Sequence, residues 1–260
     1  MKPKLLFIYK VDYEIRDGLY AALELLREDF SIFKSNLGIE TPDPSEYDIV
    51  LGWGVFDSEV EKYVLTSRAN KKALCIGGVT RPHKYIDQYD VLFYETEWYK
   101  PQIESHRNIV HAFGVNTNIM KPLHIQMKLW DYMTCGAFSI WKRQWLLANR
   151  PGNKIAIGDI QLNNLTESMQ IVAKLLAHGV AVSNQVDEET LCKYYNLSDT
   201  VYIPAEVYGG GERAVLEARA CGVNVEVEDD NPKLQELLDS PIYDHHYYYR
   251  KLKEGLLSIL

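Results

Sequence analysis

Strand-length apolar runs alternate with amphipathic runs in two successive series, and this alternation constrains the fold more than any other feature of the chain. The first series opens with "KLLFIY" (4–9), then "GLYAALELLRED", whose Leu19, Leu23, Leu25 and Leu26 recur at helical spacing. It continues through "FSIFKS", "YDIVLGWG", the helical "SEVEKYVLTSRA", "KKALCIGGV" and "YDVLFYETEW". The second series runs "GAFSIW", helical "KRQWLLANR", "NKIAIGDI", helical "LTESMQIVAKLLAHG", "VAVSNQV", helical "DEETLCKYYNL", "TVYIPA", helical "ERAVLEARACG", "VNVEVE" and helical "NPKLQELLD". Strands joined by helices run parallel, and a parallel sheet buries both faces under those helices. The expected fold class is α/β, two tandem Rossmann-like domains with a cleft between them.

"NIVHAFGVNTNIMKPL" closes the first series, with Gly114 and Asn116 as turn formers and Pro122 as a breaker. The expected domains are residues 1–118, residues 119–242, and a C-terminal helix over 243–260 that packs back on the N-terminal domain. Asp187 and Asn231, the latter followed by Pro232, suit helix starts, and Gly222 suits a helix end. Within the final stretch His245 and His246 are neighbours, so on a helix they are expected to diverge and to bind no metal.

Composition narrows the class. With 47% hydrophobic and 25% charged residues among 260, the chain reads as an ordinary globular protein. No apolar stretch reaches the roughly 20 residues of a membrane helix, and the N-terminus lacks a signal-peptide pattern, so no membrane span and a cytoplasmic location are expected. The four cysteines, Cys75, Cys135, Cys192 and Cys221, have no CxxC spacing, which argues for a reducing compartment and against structural zinc. Net charge is −8 and neither half is basic. Binding of a long polyanion would need a local patch such as Lys71, Lys72, Arg81 and Lys84.

"YIPAEVYGGGERAVLEARACG" joins a strand to a helix through Gly209, Gly210 and Gly211. Each glycine costs extra backbone entropy on folding, so something is expected to approach that backbone closely. A glycine loop opening a helix presents free N–H groups and the positive helix end, which suits phosphate or sugar hydroxyls. The alternative is a tight turn that needs positive φ. No GK[ST] follows and the GxGxxG spacing is absent, so this is neither a P-loop nor a dinucleotide fingerprint.

The residues beyond the glycines are more specific. "ERAVLEARACGVNVEV" resembles the donor-binding signature of retaining GT-B glycosyltransferases (group 1, family 4-like), in Leu216, Glu217, Ala218, Ala220, Gly222, Asn224 and Val225. Asn224 stands where that family usually has Pro. "LCKYYNLSDTVYIPAEVYGG", "FGVNTNIMKPL" and "GAFSIWKR" resemble three further family segments in the same order; the N-terminal domain matches only in general pattern.

The resemblance implies a nucleotide-diphospho-sugar as co-substrate, a UDP-sugar such as UDP-glucose being the commonest, with no other cofactor and no metal strictly required. It implies front-face substitution with retention, the leaving phosphate helping to deprotonate the acceptor; no carboxylate pair is assigned as a glycosidase-type nucleophile set. By position Glu217 binds the ribose hydroxyls, with Gly209, Gly210, Gly211, Tyr208 and Arg213 around the donor. The family's first motif Glu falls on Gly209, leaving Glu206 or Glu212 to stand near the transferred sugar. Lys142 takes the place of the diphosphate-binding lysine. The corresponding arginine is Ala137, so Arg143 or Arg213 would supply the second charge. Gly78 and His83, in "GGVTRPHKY", are the expected sugar-side contacts from the N-terminal domain, and Trp53, Glu97 and Trp98 are candidate acceptor-side walls. Glu228, Asp229 and Asp230 read as a charge run at a strand end, not a metal site.

The expected activity is thus glycosyl transfer to an unknown acceptor: a glycan, a small molecule or a modified DNA base. The compact length fits a viral, phage-type or otherwise minimal relative, for which a hydroxymethylated base in DNA is the alternative acceptor. A non-catalytic sugar-nucleotide-binding module and, more weakly, an epimerase of the same fold are the competing readings.

Overall fold

The computed structural model describes residues 1–10, 17–39, 42–54, 58–77 and 85–260. In chain order the elements are β1 (Lys4–Tyr9), α1 (Gly18–Leu26), β2 (Ser31–Asn36), β3 (Ile49–Gly54), α2 (Glu59–Thr66), β4 (Lys71–Ile76), β5 (Val91–Tyr94), α3 (Lys100–Ile103) and β6 (Ile109–His111). Then follow β7 (Trp130–Cys135), β8 (Lys154–Gly158), α4 (Leu165–Ala177), β9 (Ala181–Asn184), α5 (Glu188–Asn196), β10 (Ser198–Ile203), α6 (Glu212–Ala220), β11 (Asn224–Val227), α7 (Pro232–Asp239) and α8 (His245–Leu257). They form two compact units, Met1–Gly114 with Tyr243–Leu260, and Val115–Ile242. No helix among the described residues is long and apolar enough to cross a membrane.

The first unit carries a parallel sheet in the order β2-β1-β3-β4-β5-β6. Its central strands β1, β3, β4 and β5 are apolar where both faces are buried, whereas the edge strand β2 mixes polar and apolar residues. Leu5, Phe7, Leu51, Cys75 and Phe93 meet α1 and α8 on one side. Leu6, Ile8, Val50, Leu74 and Leu92 meet Val60 and Val64 of α2 on the other. Helix α8 belongs to this unit: Tyr248, Leu252 and Leu256 enter its core, and Asp29 receives Lys253 Nζ at 2.6 Å and the Tyr249 hydroxyl at 2.8 Å.

The second unit holds a parallel sheet in the order β11-β10-β7-β8-β9. Its first strand in sequence, β7, lies centrally, and the chain reverses its direction of growth between β7 and β10. Ligands of open α/β sheets sit outside the carboxyl ends of the strands at such a switch point. Asp187 caps α5 through Thr190 N at 2.7 Å, Asn231 caps α7, and Gly222 follows α6 at φ +74°.

Three local expectations are corrected. The strand lies at Trp130–Cys135, not at "GAFSIW", because Gly136, at φ +124°, turns the chain out of the sheet. "KRQWLLANR" forms a tight 3-10 stretch, Gln144–Asn149, rather than an α-helix; it follows Arg143 in the left-handed region at φ +48°. His245 and His246 do not diverge, their ring centroids being 4.3 Å apart.

Docking of α8 has a close backbone contact and a titratable one. A Cβ on Gly114 would lie 2.3 Å from the carbonyl oxygen of Asp244, the residue that caps α8. His111 sits between Tyr247, whose hydroxyl is 2.9 Å from Nδ1, and the Glu95 carbonyl, 3.1 Å from Nε2. Burial lowers the His111 pKa below 6.5, outweighing the Glu95 carbonyl that favours the charged ring. Its neutral form therefore stabilises the fold above the unfolded value, and that contribution fades as the pH falls below 6.5 toward the lowered native value. Gly114→Ala is expected to lower stability by about 1–3 kcal/mol in urea unfolding, because backbone cannot yield as a side chain can. His111→Gln should show a smaller stability change than the parent when unfolding above and below pH 6.5 is compared.

Candidate functional site

The site is assembled within the second unit, where the segments after β7 and β10 meet. Gly136 opens the first segment at φ +124°, a conformation that favours glycine, and Lys142 folds back over it in ordinary van der Waals contact. A Cβ there would lie 3.5 Å from Lys142 Cε and 3.8 Å from Nζ. Among the described residues the Lys142 ammonium has no hydrogen-bond or ion-pair partner. Burial lowers its pKa from 10.5; the Glu212 charge opposes the shift, and Arg213 and Lys233 add to it. A half-buried, unmatched cation of this kind has an unmet demand for an anion.

The three glycines of the second segment have different tasks. A Cβ on Gly209 would lie 2.1 Å from the Trp141 carbonyl oxygen, so what approaches this backbone is the protein's own chain. The same oxygen accepts from Glu206 N at 2.9 Å, and Gly209 N donates to the Glu206 carbonyl at 2.7 Å. Gly210 and Gly211 take positive φ, +71° and +113°. Gly211 then begins α6 without a capping side chain, so the first turn of that helix has no side-chain acceptor. Tyr208 is half-buried in the same loop.

The carboxylates are sorted by their partners. Glu212 is not placed to meet a sugar: it is buried, with Lys233 Nζ 2.5 Å away and itself fully enclosed. Glu206 keeps a half-buried carboxylate with no hydrogen-bond or ion-pair partner among the described residues, so it is the available member of the expected pair. Glu217 is 4% exposed; Oε2 accepts from the Tyr195 hydroxyl at 3.1 Å and Oε1 lies 3.4 Å from Arg213 Nε. Arg213 is half exposed, one helical turn before Glu217.

Arg143 is placed differently from the expected diphosphate contact. Its Nε donates to the Pro204 carbonyl at 2.7 Å, Nη2 to the Ala205 carbonyl at 3.3 Å, and both Nη atoms to Asp230 at 2.7 Å. The hydrogen-bonded Asp230 carboxylate raises the guanidinium pKa further. Arg143 is thus a clamp between the β7 and β10 segments and the turn before α7. This leaves Arg213 as the expected second charge. Of the acidic run, Asp230 holds Arg143 and Glu228 accepts from the Tyr202 hydroxyl.

Gly78 and His83, with Arg81 and Lys84, lie outside the described residues. Trp53 packs on the first unit's core, Glu97 accepts from the Tyr94 hydroxyl at 3.0 Å, and Trp98 meets Tyr99 edge-on. Sequence reading missed Tyr195 and Lys233. A fully buried tyrosine needs a partner for its hydroxyl, but the partner is invisible without the fold. Lys233 did leave a trace, since a lysine in the first turn of a helix opposes the dipole and calls for a compensating acid.

Removing Lys233 leaves Glu212 buried and unpaired. Lys233→Met is expected to cost about 3–5 kcal/mol in chemical unfolding, and Lys233→Met with Glu212→Gln to restore most of it.

No protein-family model matches the chain, and no curated protein matches it. Solved structures do. Sucrose-phosphate synthase from Thermosynechococcus elongatus matches with TM-score 0.66 and 12% identity over 99% of this chain and 90% of its own. HepE from Anabaena, in complex with UDP-glucose, matches with TM-score 0.65 and 12% identity over 98% and 100%. A putative UDP-N-acetylglucosamine 2-epimerase from Listeria monocytogenes matches with TM-score 0.55 and 13% identity over 100% and 88%. At such identities the likeness speaks for the fold alone, and the chain has the GT-B fold, two parallel α/β units of Rossmann type.

Proposed function

We propose that this protein is a glycosyltransferase that moves a sugar from a nucleoside-diphosphate sugar, a UDP-sugar foremost, to a hydroxyl-bearing acceptor. The observation that carries the reading is the unpartnered Lys142 ammonium, held at the β7–β10 switch point beside the uncapped start of α6. Lys142 and the α6 N–H groups would take the diphosphate, Arg213 adding charge from the helix. Glu217 would accept from the ribose hydroxyls and Glu206 would stand near the transferred sugar. The uridine preference is supported by HepE, whose complex contains UDP-glucose.

As the glycosidic bond breaks, negative charge gathers on the leaving diphosphate. A cation already desolvated at that position stabilises the developing charge without reorganising water. Reaction on one face of the sugar, with the leaving phosphate drawing the acceptor proton, gives retention and needs neither a metal nor a covalent carboxylate. The fold is shared with an epimerase, so the distinction rests on chemistry: transfer consumes the donor only when an acceptor is supplied.

Calorimetric titration with UDP, GDP and ADP tests the donor site. One nucleotide should bind, and Lys142→Met and Glu217→Gln should each weaken it by about tenfold or more, the loss expected for hydrogen bonds to charged groups. Because the lysine pKa is lowered, affinity in the parent should decline as the pH rises while still below 10.5, and Lys142→Arg should remove that decline. Absence of binding to all three nucleotides, or indifference to Lys142→Met, would sink the reading.

A further inference from the structure

We propose that Tyr195 is a positioning residue: its buried hydroxyl fixes the carboxylate of Glu217 so that the site prefers a ribose over a 2′-deoxyribose nucleotide. This rests on the donor-site reading above. Tyr195 is fully buried in α5, and its hydroxyl donates to Glu217 Oε2 at 3.1 Å. Behind it, Cys135 at the end of β7 places its sulfur 3.2 Å from the same hydroxyl oxygen. Burial raises the Cys135 pKa to about 11, the Tyr195 contact opposing, so the thiol stays protonated. It can therefore donate to the phenol oxygen while the phenol donates to the carboxylate.

The consequence is directional. A glutamate side chain has several rotamers, and a diol is read only if one carboxylate oxygen is held at a defined place. Tyr195 holds Oε2 on the inner side. Oε1 is left facing the half-exposed Arg213, 3.4 Å away, which can move aside for a ligand hydroxyl. The chain from Cys135 through Tyr195 to Glu217 thus ties the end of β7, where Lys142 folds over Gly136, to the helix that would read the sugar of the nucleotide.

The test is calorimetric binding of UDP, GDP and ADP and their 2′-deoxy counterparts to the parent, Tyr195→Phe and Glu217→Gln, with thermal melts of each. The parent should favour the ribonucleotide by about tenfold. Tyr195→Phe should bring that ratio toward unity by weakening the ribonucleotide alone. Its ring fills the same buried space, and Cys135→Ala, which releases the phenol from behind, should narrow the ratio by a second route. A ratio kept in both variants but erased by Glu217→Gln would overturn this inference and leave the donor site standing, whatever the melts show. No binding of any nucleotide would overturn both, whereas nucleotide binding without a ribose preference in the parent would overturn this inference and leave the Lys142 site standing.

Discussion

The Trp141 carbonyl rests where a side chain at residue 209 would be, and the second unit's site depends on that contact. With glycine at 209 the loop after β10 lies against the loop after β7, and the carbonyl also accepts from Glu206 N. Arg143 fastens the same two segments by donating to Pro204 and Ala205. A similar contact lies one strand over, where a Cβ on Gly158 would come 2.2 Å from the Gly136 carbonyl. Close backbone packing at the switch point is what brings Lys142 and the start of α6 into one neighbourhood.

Electrostatics in this neighbourhood follow from what is paired. Lys233 neutralises Glu212 inside the unit, Asp230 occupies Arg143, and Tyr195 with Arg213 occupies Glu217. Lys142 is the cation these pairings leave over, among the described residues. Burying a charge without a partner is costly, so the fold carries this cost at Lys142, the residue on which the proposed diphosphate site rests. In the first unit the half-buried His111 shows the ordinary arrangement, both ring nitrogens having neighbours within hydrogen-bond distance.

Much of the architecture was legible because a strand must be apolar over the stretch that is buried on both faces. "KLLFIY" and "KKALCI" stand out for that reason, and caps such as Asp187 and Asn231 mark helix starts by local chemistry. The β7 strand was missed since "WDYMTC" mixes polar and apolar residues. Its ends are set by pairing with β8 and β10 and by the turn at Gly136. Glu212 and Arg143 could not be placed from sequence, since nothing local reveals that Lys233 and Asp230 will arrive beside them.

By itself the sequence determined the alternation of strands and helices and the glycine loop at a helix start. These are local properties, written in periodicity and in the conformational freedom of glycine. Only the tertiary structure decided which charges are neutralised and which remain available. Ion pairs and close backbone contacts join residues far apart in the chain, and their partners are fixed by packing, not by spacing.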